Sequence, residues 1–327
     1  MIRLITSLLL FSTLSCKSQN EKNMEESYNP LLCDPNDGIC EIPIKTKTTE
    51  TSNETQTHAL KIIYFTDPIC SSCWGIEPQL RKLKLEYGNN FEIEYRMGGL
   101  LPDWSYNSGG ISKPSDVAHH WDEVSLYYDM PIDGDVWLED PLHSSYPPSI
   151  AFKAAQIQDY KKAILFLREI REMVFLQKKN ITKWGYLEQA AKKVGLNIKV
   201  FKNDFENKAK QLFEEDLKLA RQYGVRGFPT MFFINNKGDK EIVYGSKPYN
   251  QYESAILKVN PNIIKDQYSK DWSSLFSIYN SLTTKEFSEL SENNKTETEN
   301  ILKELFNKNQ IKKFDTKNGA IWISSKF

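Results

Sequence analysis

Cysteine and histidine are scarce, five and four among 327 residues. The chain has one C-x-x-C, Cys70-Ser71-Ser72-Cys73. No second C-x-x-C and no paired Cys/His cluster supplies the other ligands that tetrahedral zinc needs, which argues against a metal site. Charge of one sign is lacking as well. Lys and Arg number 42 against 43 Asp and Glu, net −1, so the chain has no positive field for nucleic acid or anionic membranes. A long apolar run is also missing: the N-terminal one stops at Phe11, too short to span a bilayer. These absences leave other proteins as the expected partners, and no cofactor is called for.

The C-x-x-C is preceded by an apolar, strand-like run, Leu60–Phe65, and followed by a helix-like segment, Trp74–Tyr87. That context reads as a redox site. A cysteine just before a first helical turn faces unpaired backbone N–H groups and the positive end of the helix dipole, both of which favour thiolate. Cys70 is therefore the expected nucleophile. Cys73, one turn further in, is expected to attack the mixed disulfide and release the partner. Ser71 and Ser72 can offer hydroxyl hydrogen bonds but no charge, so only a modest lowering of the Cys70 pKa is expected. Tyr64, six residues before Cys70, is a poor base at neutral pH. Asp67 is either a turn-forming Asp-Pro or a proton relay to the pair.

Far downstream, Val225-Arg226-Gly227-Phe228-Pro229-Thr230 precedes the β-branched and aromatic run Met231–Ile234. It resembles the cis-proline loop that faces the C-x-x-C in thioredoxin folds. Pro78, inside the helix that follows Cys73, matches a proline of the same family. Asp67 to Gly75, Met97-Gly98-Gly99-Leu100, His120-Trp121, Met130-Pro131-Ile132-Asp133 and Trp137 resemble the FrnE-like branch of the DsbA family, to which the YjbH-type protease adaptors are related. The resemblance implies an α/β, thioredoxin-like fold over about 59–259 with a large α-helical insertion at about 101–223. It also implies thiol-disulfide oxidoreductase activity on protein cysteines through Cys70 and Cys73, with the backbone of Phe228 beside Pro229 pairing with an extended substrate and a membrane protein recycling the couple. The alternative is an adaptor of the YjbH kind, a binding module whose cysteines act only as a redox sensor.

The N-terminus adds a compartment. Met1–Ser15, with Arg3 and its apolar run, reads as a secretion signal. Thr13-Leu14-Ser15-Cys16 resembles a bacterial lipoprotein cleavage site, with Cys16 lipidated, although the leucine stands one place closer to the cysteine than usual; ordinary secretion and a cytosolic chain with an apolar start are the alternatives. The expectation is a protein anchored by lipid on the periplasmic side of a bacterial envelope. Residues 17–58 are rich in Asn, Glu, Ser, Thr and Lys without apolar periodicity, as in a disordered tether. Within it, Pro35-Asn36-Asp37-Gly38 is a turn signal that brings Cys33 and Cys40 together. That pair is either a structural clip or a second redox couple able to exchange with Cys70.

In the insertion, helical spacing marks Ser149–Gln158, Lys161–Gln177, Tyr186–Val194 and Phe205–Tyr223. After Pro261, residues 260–327 follow a grammar of their own. A helical run Trp272–Tyr279 precedes capping-box starts at Thr283 to Glu286 and at Thr296 to Glu299. Two alternating strands then flank Asn318-Gly319, a hairpin turn. The order looks like a winged-helix module. Glu297, Glu299 and Glu304 lie where a DNA-reading helix would need Lys and Arg, so docking onto protein is the expected use.

Overall fold

The computed structural model describes residues 59–105 and 112–325, together with the backbone of 33–34 and 39–41. The expected signal segment 1–16 with Cys16, and the rest of the 17–58 tether, lie outside the described residues.

Two short strands come first, β1 (Cys33–Asp34) and β2 (Ile39–Glu41). A β-α-β unit follows: β3 (Leu60–Thr66), α1 (Ser71–Gly75), α2 (Glu77–Tyr87) and β4 (Phe91–Met97). The insertion comprises α3 (Pro114–Tyr128), α4 (Val136–Glu139), α5 (Tyr146–Gln158), α6 (Tyr160–Leu176), α7 (Trp184–Lys193), α8 (Ile198–Glu206) and α9 (Lys208–Gln222). The chain then returns through β5 (Gly227–Phe228), β6 (Thr230–Asn235), β7 (Lys240–Tyr244) and α10 (Tyr249–Val259).

A four-stranded sheet in the order β4-β3-β6-β7 is the spine. β3 and β4 are parallel; β6 runs antiparallel to both β3 and β7. β3 is central, and its residues are buried on both faces apart from the half-buried Lys61, which is why it reads as a nearly unbroken apolar run. β4 alternates buried Phe91, Ile93, Tyr95 and Met97 with more exposed residues, the period-2 pattern of an edge strand. This is the thioredoxin-like, DsbA-type arrangement, with the insertion between its β-α-β half and its β-β-α half.

Several element boundaries differ from the expectation. The helix after the C-x-x-C is two helices meeting at Ile76, and Pro78 falls in the first turn of the second one, where its missing N–H is not needed. The expected helix over 205–223 is likewise divided at Asn207 into α8 and α9. The loop-like start of the insertion contains α3, with Pro114 in its first turn and the Asp116 carboxylate accepting the Ser112 and Lys113 amides at 2.9 and 3.2 Å.

The C-terminal module is α11 (Trp272–Ile278), β8 (Ser281–Thr283), α12 (Thr284–Ser291), α13 (Lys295–Asn307), β9 (Ile311–Thr316) and β10 (Gly319–Ser324). Its sheet has the order β8-β10-β9, a winged-helix-like layout with a core of its own around Leu275, Phe287, Leu302 and Trp322. The Thr283–Glu286 capping box forms. The second one starts instead at Asn294, whose side chain caps Glu297, because Asn is extended here and serves as N-cap two residues before Thr296.

A buried charge network joins this module to the thioredoxin unit. Glu286 on α12 is fully buried. It receives Nη1 and Nη2 of Arg168 at 2.7 and 3.0 Å, and Nε of Arg81 at 3.2 Å. Its other role is to accept the Thr283 amide at 2.7 Å. Arg81 reaches the Ser281 carbonyl at 2.7 Å, and Arg168 also pairs with Glu172 at 2.7 Å. Removing one partner of such a network leaves uncompensated buried charge, at a cost of about 3–5 kcal/mol. Glu286→Ala should therefore lower stability in guanidinium unfolding by that order, whereas Glu304→Ala, which removes a fully exposed pair with Lys308, should leave the midpoint unchanged.

Candidate functional site: a covered dithiol

The C-terminal end of β3 delivers Cys70 to the N-cap of α1. Its backbone is extended, and its Sγ accepts the amide of Cys73 at 3.1 Å. Register places Thr230 beside Phe65, so the loop with Pro229 arrives at the same end of the sheet as the cysteines. The Phe228–Pro229 peptide bond is cis. Cys70, Ser71, Ser72, Cys73 and Phe228 are all buried.

The insertion forms the lid. Ser72 Oγ and the Tyr128 hydroxyl of α3 share a hydrogen bond of 2.7 Å, and Trp74 Nε1 donates to the Pro131 carbonyl at 3.0 Å. The Tyr128 ring lies so close to Gly75 that a Cβ there would stand 2.6 Å from it. Trp74 stacks on Phe175 of α6, which contacts Trp121, and Trp121 meets Trp137 edge to face. Trp121, Trp137 and Phe175 thus form one packed column behind the dithiol, whereas Tyr146 packs on Phe213.

Gly98 explains part of the Met97–Leu100 motif. A Cβ at this position would sit 1.6 Å from the Phe228 ring, so glycine there is what lets the Pro229 loop close down. Gly99 follows with φ of 70°, a conformation that glycine adopts without strain.

Asp67 is a buried organiser. Its carboxylate accepts the Ile69 amide at 3.0 Å, the Leu100 amide at 2.8 Å and Ser145 Oγ at 2.9 Å. The first bond is the turn-forming one expected of Asp-Pro; the other two fasten the start of the insertion. Burial pushes its pKa up to about 6, against those hydrogen bonds.

Electrostatics of the pair run opposite to the sequence expectation. Burial pushes the Cys70 thiol well above its usual range. Cys73 is held below its ordinary value: burial opposes this, but the hydrogen bond from Cys70, then the charge of Arg171, then Thr66 prevail. The end of a five-residue helix does not offset full desolvation of Cys70.

Arg171 was invisible to motif reading. It is fully buried; its Nη2 donates to Thr66 Oγ1 at 2.6 Å and to the Asp67 carbonyl at 3.2 Å, and its Nη1 to Glu77 at 2.7 Å. The charge that Ser71 and Ser72 lack comes from α6. Its signal was spacing, four residues after Leu167 and three before Val174, which puts it on the apolar face. Arg168, one turn earlier, lies 4.4 Å over the Trp74 ring, so the dithiol helix and Glu286 share a neighbour.

Phe228 does not present its backbone to a foreign segment in this structure. It pairs with Cys40 of β2, and Gly227 with Glu41.

A family model described as thioredoxin matches residues 64–254. The chain belongs to the thioredoxin family. Among curated proteins it is similar to several named ClpXP adapter protein SpxH. The one from Halalkalibacterium halodurans is 37% identical over 235 residues, 70% of this chain and 76% of that protein. The one from Bacillus subtilis is 30% identical over 270 residues, 81% and 89% of the two chains. A solved structure from Nitrosomonas europaea, described as a candidate protein disulfide isomerase, shares the fold with a TM-score of 0.54 at 20% identity, covering 62% of this chain and all of that one. The expectation of an enzyme acting on protein cysteines is corrected by these relatives: the proteins that match through most of the length carry an adapter's name, and the likeness to the isomerase is one of fold.

The Asp67 carboxyl makes a signed prediction. Its pKa rises from 3.8 to about 6 on folding, so the folded state binds more protons than the unfolded one between those values. The stability it contributes is fully present below its unfolded pKa and is lost as pH rises through about 6. Relative to Asp67→Asn, the wild-type protein should lose up to ~3 kcal/mol across that window, measured by urea unfolding at a series of pH values. A constant offset would refute the assignment.

Proposed function

We propose that this protein is a protein-binding adaptor of the kind its relatives are named for, presenting a bound protein to a ClpXP-type protease, with Cys70 and Cys73 acting as a redox sensor. The observation that carries the reading is the reach of the similarity, 81% of this chain and 89% of the Bacillus subtilis adapter. A fold shared only at the level of the sheet would not extend so far.

The physical state of the dithiol supports the same reading. Repeated exchange with protein substrates needs an accessible, low-pKa nucleophile, and Cys70 is covered with its thiol raised. A change of charge or bonding at Cys73, by contrast, is felt by Arg171 and Glu77, and through Trp74 and Arg168 by Glu286. This gives a continuous set of contacts from the thiols to the C-terminal module, which is the docking surface in this reading.

The lipid anchor at Cys16 and the envelope location are a rival proposal about compartment, and they exclude the ClpXP part of this reading. An anchored protein on the periplasmic side would serve a partner there, whereas a chain retained in the cytoplasm would serve ClpXP itself.

In the source cell, deleting the gene should lengthen the half-lives of a small set of proteins and leave the rest unchanged, as read by pulse-labelled proteomics with and without active ClpXP. Re-expressing the Cys70→Ser/Cys73→Ser variant should restore most of that turnover. Unchanged half-lives throughout would remove the adaptor reading.

A further inference from the structure

The edge that receives an extended partner in this fold is already taken by the chain itself. β2 pairs antiparallel with β5, Cys40 opposite Phe228 and Glu41 opposite Gly227. β1 pairs with β2, Cys33 opposite Cys40. These strands form a three-stranded sheet in the order β1-β2-β5, separate from the main sheet, and α1, the helix that carries the dithiol, lies against β2. Residues roughly twenty to thirty positions before β3 thus return to the immediate neighbourhood of Cys70 and Cys73.

Register makes the two tether cysteines a matched pair. Directly opposed residues of an antiparallel ladder have Cα atoms about 4.5–5.5 Å apart, inside the roughly 4.4–6.8 Å span that a disulfide accepts. The same ladder sets Cys40 level with Phe228, the residue before Pro229.

We propose that β1 and β2 are a built-in strap on the edge beside Pro229, and that a Cys33–Cys40 disulfide exchanges with the Cys70/Cys73 dithiol across it. Cys70 attacks Cys40 Sγ as its proton passes to the departing sulfur: the Cys33–Cys40 bond breaks, a Cys40–Cys70 bond forms, and Cys33 leaves as a thiol; this single exchange within the chain does not need the accessible, low-pKa thiol that repeated turnover on foreign substrates does. The thiolate of Cys73 then attacks Cys70 Sγ, forming Cys70–Cys73 and releasing Cys40. One disulfide is consumed and one is formed, so the exchange needs no further oxidant. While the strap is paired, no second extended segment can use the same Gly227 and Phe228 backbone groups. The strap is thus an intramolecular competitor for any partner that docks by strand addition.

The test uses the full chain carrying Cys73→Ser, fully reduced, exposed to oxidised glutathione, alkylated and mapped as peptides without reduction. The expected product is a Cys40–Cys70 linkage. Absence of that linkage, or Cys70 joined only to Cys33 or glutathione, overturns the exchange. Amide hydrogen exchange reads the strap without relying on that variant folding. The Gly227–Phe228 amides should be protected in the wild-type chain and exchange at least about ten-fold faster in Glu41→Pro, since proline removes a ladder donor. Equal rates in the two proteins would show that the edge is not strapped. Both readouts concern contacts within one chain, so they stand or fall separately from the client half-lives that test the adaptor reading.

Discussion

Two arginines on one buried helix hold this molecule together. Arg171 is fastened to β3, to the Asp67 carbonyl and to Glu77; Arg168, one turn away, is fastened to Glu172 and Glu286. Guanidinium groups suit this position because their fixed fork satisfies several acceptors at once and they stay charged when buried. The spine of the sheet, the dithiol helix and the C-terminal module therefore share one set of charges. Each carboxylate in it is tolerated only because the arginines are there.

In the proposed reading, the same network lets a thioredoxin fold serve as a sensor. The insertion packs onto the dithiol helix through Tyr128 on Ser72, with the aromatic set from Trp74 to Trp137 behind it. Cys73 and Arg171 interact electrostatically, so on that proposal a proton or a disulfide at Cys73 changes the surroundings of Arg171. The architecture favours a protein that registers a redox event over one that performs it repeatedly.

Much of this was legible in the residues. The C-x-x-C between an apolar strand and a helix, the Gly-Phe-Pro-Thr stretch and the paired capping-box signals placed the thioredoxin unit and the winged-helix-like module, because each depends on local backbone chemistry. What escaped reading depends on long-range packing. Arg171 looks like any charged residue on a helix until α6 is known to be buried nearly all round. Gly98 has no local reason to be glycine, since its constraint comes from Phe228, more than a hundred residues later. The expected modest lowering of the Cys70 pKa gives way to a rise, because helix-end effects are local and desolvation is not. The expectation of an enzyme came from the motif, which describes the chemistry available to two thiols, whereas the relatives that match through most of the length are named adapters.

The most direct test is to count disulfides reduced per chain. With insulin as the disulfide and excess dithiothreitol as reductant, a covered sensor pair should give at most one exchange per molecule and no acceleration over dithiothreitol alone. Many equivalents reduced per chain, abolished in Cys70→Ser, would contradict the account and return the protein to the enzymes whose fold it shares.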